Sequence, residues 1–279
     1  MRRRPSACCP RSPSRYDTVT PRAAGPSEVV VRLRAAGCVF AEDEARLLVA
    51  AARTPEELEE LLGRRVAGLP LEQVLGWAEF GGLRIRLRPG VFVPRRRTEL
   101  LVRRASRLAA PGAVVLDLCC GSGAVGAALL AADPSLRLHA VDIDPVATAC
   151  ARDNIEPRGG QVLTGDLFQP LPGELRGRVD LIVANAPYVP TEEIPRMPPE
   201  ARVHEARIAL DGGVDGLEVQ RRLVADAPAW LAPDGHLLVE TSAGQADDTA
   251  AIFVRSGLTP RIVRSKELAA TVVIGTKPS

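Results

Sequence analysis

The chain has 279 residues, 46% hydrophobic, 25% charged and 3% aromatic, which suits one sizeable core with a smaller unit attached. A formal charge of +2 excludes an overwhelming field for nucleic acid, and no run of 18 apolar residues is present to span a membrane. Six cysteines without CxxC spacing, and His139, His204 and His236 far apart, give neither a disulfide framework nor a metal-ligand pattern, so reduced thiols in a cytoplasmic protein are expected.

Residues 1–26 hold six arginines and five prolines but no apolar h-region, which argues against a secretory signal. They read as a disordered tail or as a start assigned too far upstream. A small helical unit follows over residues 27–75. A first helix ends at Gly37, and a second opens on Asp43 and Glu44. Thr54-Pro55-Glu56-Glu57 carries a capping hydroxyl, proline at the first helical position and glutamate at the capping-box spacing. Leu58, Leu61, Leu62 and Val66 continue at helical spacing until Gly68-Leu69-Pro70.

The period then changes. From Phe80 to Arg88 apolar and basic residues alternate around Gly81-Gly82, the pattern of a hairpin in a linker over 76–97. Val91 to Pro94 reads as a further extended piece. Arg84, Arg86, Arg88, Arg95, Arg96 and Arg97 form a basic group, facing either an acidic ligand or ribonucleoprotein, or simply solvent. A helix from Thr98 to Leu108 opens the large unit, 98–279.

From Ala113 apolar strands alternate with helices: 114–118, 136–141, 161–163, 179–183, 235–240, 259–264 and 270–275. This predicts a doubly wound, mostly parallel seven-stranded α/β sheet. The polar link 265–269 is too short for a parallel crossover, so the last two strands form an antiparallel hairpin.

The first strand of this unit runs into Gly121-Ser122-Gly123 and a helix start, a tight turn that brings backbone close to a ligand. Three features favour S-adenosylmethionine over a dinucleotide. Asp117 precedes the glycines, where it meets an ammonium group that NAD lacks. Asp142 ends the second strand, where it accepts from ribose hydroxyls. The terminal hairpin is absent from the plain dinucleotide fold. Asp144 competes with Asp142, but Pro145 after it points to a helix cap instead. Asp166 follows the third strand, placed for the adenine amine, with Leu167 or Phe168 against the ring.

Asn185-Ala186-Pro187-Tyr188 follows the fourth strand, at the carboxyl edge where open sheets bind ligands. An amide nitrogen is a poor nucleophile because its lone pair is delocalised. A site can instead accept both N–H bonds, fix the plane and aim the nitrogen at the methyl donor. Asn185 Oδ1 and the Ala186 carbonyl supply two acceptors, and Tyr188 an aromatic wall. The same set would hold an exocyclic adenine amine.

The chain resembles the HemK/PrmC family of protein-(glutamine-N5) methyltransferases. The resemblance rests on Gly68 to Gly76 with Phe80-Gly81, Phe92 to Pro94-Arg95 with Thr98-Glu99, Asp117 to Gly123, and Asn185 to Tyr188. Glu205, Ala209-Leu210, Gly213, Asp215-Gly216-Leu217, Glu240 and Gly244-Gln245 extend it. It implies a class I methyltransferase fold with S-adenosyl-L-methionine as donor and S-adenosyl-L-homocysteine as product. The implied donor site is Asp117, Cys119, Gly121, Gly123, Asp142, Ile143, Asp166, Leu167 and Thr98, with Asn185. Asn185, Ala186, Pro187 and Tyr188 would hold the glutamine of a Gly-Gly-Gln motif in a peptide chain release factor, docked partly by the helical unit.

The chain departs from the family pattern at Ala186, which replaces a proline, at Cys119-Cys120, which replace small glycine-led residues, at Ala206, which replaces a proline, and in the Arg95-Arg96-Arg97 run. Pro187 still holds residue 186 extended, so retained chemistry on a looser loop is expected. Nucleic-acid and small-molecule N-methyltransfer are the alternatives. No target-recognition domain and a charge of +2 weigh against DNA, and the helical unit weighs against a small metabolite. A non-catalytic binding protein would not need Asn185, and a dehydrogenase would not need Asp117. No metal, no stable nucleic-acid partner and no membrane partner are expected, with a monomer as the default.

Overall fold

A computed structural model describes residues 25–279. The expectations for residues 1–24 lie outside the described residues.

Three helices pack into a small bundle: α1 (Pro26–Ala35), α2 (Ala41–Ala51) and α3 (Pro55–Val66). Val29, Leu33, Leu48 and Leu62 are fully buried in its core. Thr54 caps α3 by accepting from the Glu57 N–H at 3.2 Å. The Glu57 carboxylate reaches back to the Arg53 N–H at 2.8 Å, one residue earlier than a capping box requires. Inside the bundle Arg65 is paired with Glu44 at 2.6 Å, both nearly buried. A further short helix, α4 (Leu71–Leu75), follows the Gly68-Leu69-Pro70 break. Five residues are too few to show a helical period in sequence.

The hairpin is β1 (Trp77–Phe80) and β2 (Leu83–Arg86), turning at Gly81-Gly82. Both glycines have positive φ, 58° and 75°, as the tight turn matching strand twist demands. Phe80 and Ile85 on its inner face join the core of the large unit. Val91 and Val93 are buried beside it but form no strand.

The large unit opens with a 3-10 turn (Arg96–Thr98) and α5 (Glu99–Leu108). Then come β3 (Val114–Leu118), α6 (Ala124–Ala132), β4 (Arg137–Asp142), α7 (Pro145–Ile155), β5 (Gln161–Thr164) and β6 (Val179–Ala184). A long connection holds two 3-10 turns and α8 (Pro199–His204). It leads to α9 (Glu218–Trp230), β7 (Leu231–Thr241), α10 (Ala246–Arg255), β8 (Thr259–Ser265) and β9 (Ala270–Thr276). The sheet order is β5-β4-β3-β6-β7-β9-β8, parallel except for β9, which is antiparallel to both neighbours. The expected terminal hairpin is therefore present. β7 starts four residues before the expected Gly235, because Pro233 and Asp234 are carried inside the strand.

Strand parity divides the core. Val114, Leu116 and Leu118 face α9 and α10, while Val115 packs with α5, α6 and α7. Asp117 shares the parity of Val115 and so turns toward α6. No helix among the described residues is long and apolar enough to cross a membrane.

Candidate active site

A cleft lies over the carboxyl ends of β3, β4, β5 and β6. It is lined by Thr98, Asp117, Cys119, Gly121, Asp142, Ile143, Asp166, Leu167 and by Asn185 to Tyr188. Of the residues expected in a site, Gly123 and Phe168 do not line it. That glycine lies beneath, where a Cβ would press on Ile155 at 2.8 Å.

Asp117 is 2% exposed and accepts one hydrogen bond, from the Gly126 N–H at 2.9 Å. No basic side chain among the described residues pairs with it. Burial pushes its carboxyl up to about 7, the nearby Asp142 adds to the rise, and the Gly126 N–H opposes it. A buried acid with this surplus of unmet charge suits a cationic ligand group. Asp142 accepts from the Gly121 N–H at 2.8 Å and the Asp144 N–H at 2.9 Å. These bonds leave half of its four lone-pair positions for a ligand. Asp144 accepts from the Val146 N–H at 2.8 Å and caps α7, as Pro145 suggests.

Cys119 adopts φ 57°, a left-handed conformation strained for a side chain with a Cβ. Burial pushes its thiol and that of Cys120 up, which disfavours the reactive thiolate form. The two ring candidates separate. Leu167 lines the cleft, whereas Phe168 turns into the core and stacks on Trp230 at 5.5 Å. Asp166 lines the cleft too, but its carboxylate is paired with Arg222 of α9.

The Asn185 loop is held from outside. Val189 exchanges hydrogen bonds with Leu210 and Gly212, and Thr191 donates to the Gly213 carbonyl. Gln245 Nε2 donates to the Tyr188 carbonyl at 3.0 Å and to the Asp215 carbonyl at 3.1 Å. Gly216 lies so close that a Cβ would meet the Tyr188 carbonyl at 2.4 Å. Inside the cleft, Asn185 Nδ2 donates to Thr98 Oγ1 at 3.3 Å. Asn185 Oδ1 and the Ala186 carbonyl accept from no described residue. Two unused acceptors therefore belong to adjacent residues of the cleft wall, which Tyr188 also lines.

Several groups here were not assigned a role from sequence. Arg97 lies 5.9 Å over the Tyr188 ring and its Nε is 3.4 Å from Glu240 Oε1. Glu205 is buried, accepts from the Val93 N–H at 3.1 Å and pairs with Arg95. Glu240 entered the sequence reading as part of the family resemblance and as an acid closing an apolar run, the latter being the signal that something polar must meet it. Among the described residues no group of three or more His, Cys, Asp or Glu is placed to hold a metal ion.

A family model described as the methyltransferase small domain matches residues 82–214. A release factor glutamine methyltransferase of Geobacter sulfurreducens is 42% identical over 208 residues, which cover 73% of this chain and 72% of that one. One from Bradyrhizobium diazoefficiens is 36% identical over 253 residues, covering 82% and 85%. A solved methyltransferase structure from Pyrococcus furiosus aligns with TM-score 0.52 at 18% identity, over 71% of this chain and 90% of that one. The last likeness bears on fold alone.

Proposed function

The chain belongs to the release factor glutamine methyltransferase family, and from that premise we propose how its cleft performs the reaction: a methyl group passes from S-adenosylmethionine to the side-chain N5 of a protein glutamine, that of a release factor Gly-Gly-Gln motif. The observation that carries this reading is the pair of unused acceptors, Asn185 Oδ1 and the Ala186 carbonyl, beside the methyl-donor cleft. A primary amide has two N–H bonds, and two fixed acceptors are what it needs to be held flat.

The cleft fits the donor. Asp117 offers an unpaired buried carboxylate to the ammonium group. Asp142 keeps acceptor capacity for the ribose hydroxyls. Ile143 and Leu167 offer apolar surface to adenine, with Asp166 at its edge. Gly121 leaves the turn open, since no atom lies within 4 Å of where its Cβ would be. Cys119, Thr98 and Asn185 complete the wall, and Gly123 seats α6 against α7 beneath it. When bound, S-adenosylmethionine supplies a methyl group on a positively charged sulfur and becomes S-adenosylhomocysteine.

The protein's part is orientation. Asn185 and the Ala186 carbonyl accept the two N–H bonds, which raises electron density on nitrogen and fixes its plane. Tyr188 covers the amide, and Pro187 limits the backbone of residue 186. No base is required before transfer, because attack by the neutral nitrogen gives an N-protonated N-methylamide cation, which is strongly acidic and passes its extra proton to water afterwards.

The division of labour is part of the same reading. Residues 27–75 dock the partner protein, residues 76–97 link, and residues 98–279 carry the transfer. The enzyme would meet its substrate in the cytoplasm, where release factors act.

The test is incubation of the protein with labelled S-adenosylmethionine and its cognate release factors, then mass analysis of the Gly-Gly-Gln peptide. One methyl group on the glutamine is expected. An unmodified peptide with label on nucleic acid would overturn the reading.

A further inference from the structure

Beneath the acceptor loop lies a buried carboxylate that the chemistry above does not use. Glu240, at the end of β7, is 1% exposed. Its Oε1 faces the Arg97 Nε at 3.4 Å, while Oε2 is buried without a bonded partner. An orphaned buried carboxylate oxygen is expensive unless a donor stands ready nearby. Two hydroxyls do, those of Thr98 and Tyr188, and both favour the ionised form of Glu240.

Thr98 also touches Asn185, whose Nδ2 donates to its oxygen. A threonine hydroxyl has one proton, so its direction is set by what surrounds it. We infer that Glu240 and Thr98 form a positioning relay that decides which end of the Asn185 amide faces the substrate. An ionised Glu240 can only accept, so Thr98 must donate to it. The Thr98 oxygen is then left to accept, and only the NH₂ end of Asn185 can satisfy it. Asn185 Oδ1 is thereby turned to the cleft as an acceptor. A protonated Glu240 removes the constraint: it can donate to Thr98, Thr98 can donate to Oδ1, and the amide can turn its NH₂ toward the incoming glutamine. Donor would then face donor.

The other ionisable groups facing Glu240 are Arg97, from the turn before α5, and Tyr188, from the loop after β6. Arg97 favours the ionised carboxylate. Tyr188 has its phenol pushed up by burial and by Glu240, so it stays a donor. Burial pushes Glu240 itself up, which places the loss of the relay on the acid side of its working range.

The relay rests on the glutamine reading only for its kinetic arm. In full-length protein with ¹³C-labelled glutamate and ¹⁵N-labelled asparagine, the Asn185 side-chain nitrogen is expected to shift with the same pH midpoint as the Glu240 carboxyl carbon. Thr98→Ser should keep that link. Thr98→Val should abolish it while Glu240 still titrates, and Glu240→Gln should leave Asn185 insensitive to pH. An Asn185 resonance that ignores Glu240 in the wild type, or still follows it in Thr98→Val, would overturn the relay. In the kinetic arm, kcat on a Gly-Gly-Gln peptide should fall about 10- to 100-fold in Thr98→Val and Glu240→Gln, with KM changing less and Thr98→Ser recovering most of the loss seen in Thr98→Val. Unchanged kcat in both variants would also overturn it. A wild type that methylates no glutamine would defeat the functional reading instead, and the resonance experiment would still decide the relay.

Discussion

Gln73, on the short helix α4, donates through one amide nitrogen to two carbonyls that are distant in sequence, Val91 at 3.3 Å and His204 at 3.1 Å. His204 closes α8, in the connection that also holds the acceptor loop. Arg65 of α3 reaches Glu200 of α8 at 2.8 Å, and the Ala206 N–H donates to the Gly90 carbonyl. The helical bundle, the linker and the acceptor side are thus fastened at one place. Gln73→Leu keeps the bulk and strips both carbonyls of their donor. A loss of about 1–3 kcal/mol is expected, read from the urea midpoint, with faster proteolysis between residues 191 and 209.

Asn185→Ala removes one of the two amide acceptors and the bond to Thr98. Methyl transfer to the glutamine peptide should drop about 10²- to 10³-fold, with a much smaller change in donor affinity by calorimetry. Equal losses in both would mean that Asn185 serves the donor alone.

Asp117 gives a pH signature. Its folded pKa of about 7 lies above the ordinary 3.8, chiefly through burial. Such a raised acid destabilises the free protein above about 7, and the penalty fades as pH falls toward 4. Donor binding has the opposite sense, because the ammonium group favours the ionised form. Affinity should therefore weaken by up to about tenfold per unit below pH 7, and binding near pH 7 should release a proton. Calorimetry in buffers of different ionisation enthalpy reads this directly. A flat affinity between pH 5.5 and 7.5 would place the ammonium group elsewhere.

Much of the frame could be read from residue pattern alone. Apolar runs marked the strands, Gly81-Gly82 the hairpin, and Thr54 and Asp144 the caps, because each depends on neighbours within a few positions. What escaped depends on distance. Arg222 pairs with Asp166 across 56 positions, and Arg97 meets Glu240 across 143. The stretch from Thr191 to Ala209 was also opaque, since its 3-10 turns and six-residue α8 are too short and proline-rich for a period to show. Leu167 and Phe168 were left as alternatives because a turn with φ 49° at Leu167 does not preserve strand parity.

Cys119→Gly tests the strain in the donor turn. Releasing a side chain from φ 57° is worth about 1–2 kcal/mol, offset in part by the freer unfolded chain, so a net gain of about 0.5–1 kcal/mol is expected. That corresponds to a Tm rise of about 1–3 °C. A lower Tm would show that the thiol's packing outweighs the backbone strain.

Ala186→Pro asks whether the acceptor loop is loose. The Ala186 side chain is 1% exposed, and the segment after it is tied to Leu210, Gly212, Gly213 and Gln245. With so much restraint outside the motif, kcat should change by less than about threefold. A large gain would mean that the alanine leaves the loop poorly ordered.

Those outside ties have a consequence for how such a site can drift. When stiffness resides in the motif's own proline, losing the proline loses the site. Here it resides in Gln245, in Gly216 and in the backbone pairing at Val189, so residue 186 is released to vary and the burden moves to positions that never touch substrate. Mutational fragility should accordingly be low at Ala186 and high at Gly216, where any side chain would collide with the Tyr188 carbonyl.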